Sequence, residues 1–161
     1  VEWLAVRALL KERCGEEKSV SYYPSGKPYL TDGSARISFS HTQGYVAVAV
    51  HPCKEVAVDI EQYGTRVKRV AHKFIRGDEQ IPAEPLQEIQ ALLLHWSAKE
   101  TLYKLLDKEG VDFIRHLQVF AFELMEEEEF VACEHLTEQN ECFPVHYHTH
   151  PHYVLTYASR P

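Results

Sequence analysis

The sequence predicts an α+β protein of two similar halves, each a helix packed on a small antiparallel sheet, with the N-terminal half incomplete. One helical pattern and then two more each lead into alternating strand patterns, and turn residues punctuate the intervals. Trp3, Leu4, Val6, Leu9 and Leu10 recur at helical spacing, and Gly15 stops the run. Ser25-Gly26-Lys27-Pro28 marks a turn. Ile37 to Ser40 alternates, as does Tyr45 to Val50, with His41-Thr42-Gln43-Gly44 as the loop between them. His51-Pro52 ends the second of these strands and Val56 to Ile60 makes a third, giving an antiparallel meander. Val67 to Ile75 forms a short helix. Pro85 suits the first turn of the longest helix, Leu86 to Asp107, with Gly110 beyond its end. Val119 to Glu123 and Phe130 to Glu134 form a hairpin around the solvated tip Glu126 to Glu129, and Cys142 to Tyr147 and Tyr153 to Ala158 supply further strands. Trp3, Tyr45, Phe120 and Phe122 are expected in the core.

Composition narrows the function classes. Hydrophobic residues make up 45% and charged residues 25% of the chain, the balance of an ordinary globular protein. No apolar run approaches the roughly 20 residues of a membrane helix, and no secretory pattern opens the sequence. Val1, not Met, falls directly into the first helical pattern, so a natural N-terminal segment is expected to precede it. Cys14, Cys53, Cys133 and Cys142 form no C-x-x-C pair, so they read as neither a zinc site nor a disulfide framework, and a reduced cytoplasmic protein is expected. The formal net charge of −7 argues against nucleic acid as partner. Against that balance, Arg66, Lys68, Arg69, Lys73 and Arg76 stand together with no acidic residue among them, a surface for an acidic partner.

Two short stretches carry the chemistry. In Ala57-Val58-Asp59-Ile60-Glu61 the two acids share one strand face, about 6.6 Å apart along the chain. At an effective dielectric of about 20 they repel by roughly 2.5 kcal/mol, so they need open water or a cation. In Trp96-Ser97-Ala98-Lys99-Glu100-Thr101-Leu102-Tyr103-Lys104, Glu100 and Lys104 sit on one helix face. As a surface pair they would be worth only a few tenths of a kcal/mol. The leucines on either side bury this helix, however, and its charges then need partners. A third carboxylate meeting Asp59 and Glu61 makes an oxygen-only site suited to Mg²⁺, which keeps waters and completes its shell with substrate phosphates. Lys99 and Lys104 would serve the same phosphates. Two alternatives remain open on the residues alone. One is a Mg²⁺-dependent nuclease or phosphodiesterase, against which the acidic charge counts. The other is a non-catalytic binding protein, against which the intact acids and lysines count.

Val-Asp-Ile-Glu followed by Trp-Ser-Ala-Lys-Glu-x-x-x-Lys resembles the signature pair of the 4′-phosphopantetheinyl transferase superfamily, and Gly26-Lys27-Pro28 and Ser40-His41 extend the resemblance upstream. The order is similar to that of the surfactin-synthetase-activating type, a monomeric pseudo-dimer of two α+β halves. The resemblance implies Mg²⁺-dependent transfer of 4′-phosphopantetheine from coenzyme A to a serine of an apo carrier protein, releasing 3′,5′-ADP. It implies a division into residues 1–56, the nucleotide side, and 57–161, with the metal site and the carrier-docking surface at Arg66, Lys68, Arg69, Lys73 and Arg76. Asp59, Glu61 and Glu100 would bind the metal, for which Mn²⁺ is also suited. Lys27, Ser40 and His41 would bind the 3′-phosphate of coenzyme A, and Lys99 and Lys104 its pyrophosphate, with Lys104 as general acid. Glu79 is placed near the metal as one candidate for the serine proton, a metal-bound hydroxide being the other. The sequence departs from the family at Ala57, where glycine is usual and a methyl would crowd the cofactor, at Thr42 in place of serine, and at the basic segment expected before the first helix. His146, His148, His150 and His152 alternate but are interrupted by Pro151, and read as a weak metal site at most.

Overall fold

The computed structural model describes residues 1–161. In chain order its elements are α1 (Glu2–Cys14), β1 (Val20–Tyr22), β2 (Pro28–Leu30), β3 (Arg36–Thr42), β4 (Tyr45–His51), β5 (Glu55–Gln62), α2 (Arg66–Val70) with a following 3₁₀ turn (Ala71–Lys73), α3 (Pro85–Leu106), β6 (Leu117–Val119), β7 (Glu127–Glu134), β8 (Cys142–Thr149) and β9 (Tyr153–Arg160). The expected α+β class holds. Its centre is a five-stranded antiparallel sheet in the order β5-β9-β8-β7-β6, accompanied by the hairpins β1-β2 and β3-β4.

The long helix forms where its signals predict. Pro85 occupies its first turn, the Glu84 carboxylate caps the Gln87 N–H at 2.8 Å, and Asp107 ends it in a left-handed conformation at φ 48°. Its apolar side lies on the sheet, where Leu94, Ala98 and Leu102 pack with Val145, Tyr147, Val154 and Ala158. The first helix is held less firmly. It buries Val6 and Leu10 against Leu30 and Ile37, while Trp3 remains 44% exposed, packed edge-on to Phe39. Trp3 is therefore not a core residue, and neither is Phe120, also 44% exposed.

The meander is corrected at its third strand. β3 and β4 pair through a two-residue turn, Gln43-Gly44, with Gly44 at φ 82°. β5 does not extend that ladder but pairs with β9, Asp59 opposite Thr156. Its other edge faces β3, where side chains replace the ladder. The Ser38 and Ser40 hydroxyls accept the N–H groups of Val58 and Ile60, each at 3.1 Å. This leaves Val58 and Ile60 packed with Ala47 of the hairpin, and turns Ala57, Asp59 and Glu61 toward α3.

Three further expectations change. The strand expected over Val119 to Glu123 lies earlier, as β6 (Leu117–Val119). Glu127 to Glu129 lie on β7, not in a tip, with Glu129 opposite His146 and Glu127 opposite His148. Cys133 and Cys142 are register partners on β7 and β8 and form a disulfide. Strand register, invisible in cysteine spacing, brings them together, and cysteine usage no longer supports a reducing compartment. No helix is long and apolar enough to cross a membrane.

Replacing Ser38 with alanine strands the buried Val58 N–H. A loss of about 1–3 kcal/mol in unfolding free energy is expected from urea titration, the cost of an unsatisfied buried donor.

Candidate active site

Above the α3-facing side of β5 lies the helical segment from Trp96 to Lys104, and polar contacts on two sides fix how the helix is turned. Toward the sheet, Ser97 and Thr101, one turn apart, meet the Thr156 hydroxyl at 2.9 and 2.7 Å. On the far side Lys99 donates to the carbonyls of Phe74 (2.5 Å) and Phe113 (3.2 Å) and to the Glu79 carboxylate (2.8 Å), with both charged side chains fully enclosed. Burial pulls the Lys99 ammonium below the ordinary lysine range, and the Glu79 carboxylate opposes that shift.

Between these contacts Glu100 and Lys104 project toward the two acids of β5. Lys104 Nζ donates to the Val58 carbonyl at 2.9 Å and to Asp59 Oδ1 at 3.2 Å, and Ser40 donates to the same Asp59 oxygen at 3.3 Å. Asp59 is 4% exposed, and its Oδ2 is buried with no hydrogen-bond partner. Such an atom costs about 1–3 kcal/mol, more when charged, unless a cation or donor from outside the chain satisfies it. Glu61 Oε1 accepts from the indole N–H of Trp96 at 3.0 Å. Burial first, then the neighbouring Asp59 carboxylate, push Glu61 up to about 8; the same causes in the same order push Glu100 up to about 7.

This oxygen-only set suits a hard divalent cation, which would fill the open coordination of Asp59 Oδ2 and relieve the crowding of negative charge. The carboxylates are not drawn into a ready three-ligand cluster. Mg²⁺ is at home in such a site, since it takes one or two carboxylates and completes its shell with waters and phosphates.

A sequence model of the 4′-phosphopantetheinyl transferase superfamily matches residues 55–158, more than half of the chain. The chain belongs to this superfamily. No curated protein sequence matches it. The matched span of this transferase-superfamily enzyme runs from the start of β5 into β9 and holds Asp59, Glu61, Glu79, Lys99, Glu100 and Lys104. Lys27, Ser40 and His41 lie outside it.

The enzyme brings together some of the residues singled out from sequence and separates others. Asp59, Glu61, Glu100 and Lys104 share one site. Glu79 is not brought to it: its carboxylate is consumed by Lys99 and by the N–H groups of Arg76 (2.8 Å) and Val119 (2.9 Å). Lys99 is equally saturated, so neither side chain is free for a proton or a phosphate. Ser40 points inward to Asp59 and Ile60, while His41 is exposed beside Glu2, 3.3 Å away. Lys27 is held by Glu55 at 2.5 Å and lines a cavity of about 470 Å³ together with Ser38, Tyr103, Lys104 and Lys108. Ala57 is fully buried in the main core, so its methyl faces packed side chains and not an open cleft. Of the basic run, Arg76 is taken up by Asp78 and the Ile114 carbonyl, and Lys68 by Glu88. Arg66 and Lys73 line a cleft of about 650 Å³ that also reaches Glu61, Trp96 and Phe113. The histidine row makes no three-ligand group; His152 pairs with the Tyr45 hydroxyl at 2.6 Å, and His146 stacks on Tyr157.

Sequence reasoning assigned no role to Ser38, Trp96, Thr101 or Thr156. Ser38 carried a usable signal, since two serines on one face of an otherwise apolar strand call for partners. Thr156 carried none, because its relation to α3 arises only from sheet packing.

The raised carboxyls set a pH dependence. From about 4.5, the ordinary value, to about 7 for Glu100 and about 8 for Glu61, the folded protein keeps protons that the unfolded chain releases. Metal-free stability therefore falls as pH rises through that window. Urea unfolding in chelator should show this slope, reduced in Glu61→Gln and by added Mg²⁺.

Proposed function

We propose that the enzyme is a holo-carrier-protein synthase of the surfactin-synthetase-activating type, moving 4′-phosphopantetheine from coenzyme A to a serine of an acidic apo carrier protein. The observation that carries this reading is the partnerless, buried Asp59 Oδ2, set beside Lys104 where β3 meets β5. In this reading residues 1–56 hold the nucleotide, residues 57–161 hold the cation and receive the carrier, and a single chain suffices.

Asp59, Glu61 and Glu100 would hold Mg²⁺, or Mn²⁺ in its place, which would lower the charge on the pyrophosphate and orient the leaving group. Lys27 supplies positive charge for the nucleotide phosphate, and the exposed His41 ring supplies an N–H donor. Ser40 acts through Asp59, whose carboxylate it orients. The serine oxygen of the carrier attacks the phosphorus bearing the pantetheine arm, and the phosphoanhydride bond to 3′,5′-ADP breaks. Lys104 donates to the departing phosphate oxygen. Glu100, the one site carboxylate with no side-chain partner, accepts the serine proton on an oxygen it does not give to the cation, since Glu79 is enclosed with Lys99. The charge and positioning supplied by these residues are the main source of rate in phosphoryl transfer.

Intact-mass spectrometry of apo carrier proteins with coenzyme A, Mg²⁺ and the enzyme should show a gain of one phosphopantetheine, lost with Asp59→Ala or with chelator. Lys104→Ala should lower kcat by about 10²–10³. No gain on any carrier, with coenzyme A bound normally, would overturn the transferase assignment in favour of binding alone. The cleft lined by Arg66 and Lys73 supports carrier docking beside Glu61. Charge reversal at both should raise the carrier KM about tenfold, through loss of about 1.4 kcal/mol, and leave the coenzyme A KM unchanged; an unmoved carrier KM refutes this docking face.

A further inference from the structure

Lys99 and Trp96 lie next to the site residues, and neither is free for substrate. Their bonds form a continuous chain. The buried Lys99 ammonium ties the carbonyls of Phe74 and Phe113, which belong to segments on either side of α3. The rings of those same two residues flank the Trp96 indole, with centroids 5.1 and 5.4 Å away. That packing fixes the plane in which the indole N–H points, and the N–H meets Glu61 Oε1 at 3.0 Å. Glu79 closes the arrangement: it neutralises Lys99 and binds the backbone of Arg76 and Val119, anchoring the two segments that carry Phe74 and Phe113.

We propose that Trp96 is a positioning residue for the cation ligand Glu61, oriented by the Lys99-tied clamp of Phe74 and Phe113. The inference rests on the reading of Glu61 as a ligand. One Glu61 oxygen is held by the indole, which fixes the direction in which the carboxylate offers its remaining coordination to a cation. Outer partners that orient a ligand typically contribute 10–100-fold to metal affinity.

Trp96→Phe keeps a ring between Phe74 and Phe113 and removes only the donor. Mn²⁺ binding, followed by electron paramagnetic resonance with and without coenzyme A, should weaken about tenfold. Metal-free coenzyme A binding should stay unchanged, and excess Mn²⁺ should restore kcat, a rescue that a general packing defect would not allow. The paired change Lys99→Met with Glu79→Gln removes the buried charges together, avoiding a lone buried ion, and should also weaken Mn²⁺ binding while shifting Trp96 fluorescence in a Trp3→Phe background. Wild-type Mn²⁺ affinity in Trp96→Phe overturns the proposal even if the paired variant does not fold. Glu61→Ala separates the two levels. If it loses Mn²⁺ binding while Trp96→Phe does not, the positioning role fails alone; if it binds Mn²⁺ normally, the ligand reading fails and takes this inference with it.

Discussion

The edge of β5 that faces β3 carries no backbone ladder, and the site depends on what takes its place. Two serine hydroxyls accept the N–H groups of Val58 and Ile60, and one ammonium, from Lys104, spans the Val58 carbonyl and the Asp59 carboxylate. A continuous ladder would have satisfied the same backbone groups but left no place for a charged side chain. Here the stitching is made of groups that also touch the acid. Ser40 holds both the strand and Asp59, and Lys104 holds both the strand and the oxygen next to the orphaned Oδ2. Folding and site assembly are therefore the same event on this edge.

The other contribution comes from α3, an unusually polar helix for its depth. Ser97, Lys99 and Thr101 are all fully buried, and each has its partners. A purely apolar helix face can rotate or slide with modest cost, because dispersion contacts are not directional. Hydrogen bonds to Thr156 on one side and to Phe74, Phe113 and Glu79 on the other remove that freedom. The consequence for chemistry is that Glu100 and Lys104 approach β5 from one direction only. The cost is concentrated in Glu61 and Glu100, which burial and the Asp59 charge hold above the usual carboxylate range. Such crowding is what a hard divalent cation with bound phosphates would relieve.

Most of the elements are legible in the sequence, because helices and strands announce themselves by period and punctuation. Pro85 and the leucine pattern defined α3, and alternation defined β3, β4 and β5. Pairing was less legible. β5 reads as the third strand of a meander because it follows β4 after a short turn, yet it pairs with β9 a hundred residues later. The Cys133–Cys142 bond was hidden for the same reason: it depends on which residues of β7 and β8 stand opposite each other.

The motifs Val-Asp-Ile-Glu and Trp-Ser-Ala-Lys-Glu-x-x-x-Lys, by themselves, determined the chemistry on offer: carboxylates on one strand face, a carboxylate and a lysine on one helix face, and membership in a superfamily. Local periodicity suffices for this, because neighbours on one face follow from backbone geometry alone. Only the tertiary structure decided which charged groups face the site and which face the core. Lys99 and Glu100 are adjacent in sequence, but about 100° apart around the helix, and that rotation sends one into a sealed pair with Glu79 and the other to Asp59. The same holds for Ala57, whose methyl enters the core, and for Arg76, whose charge is spent on Asp78. Burial and partnership are properties of packing between distant segments, and no pattern along the chain encodes them.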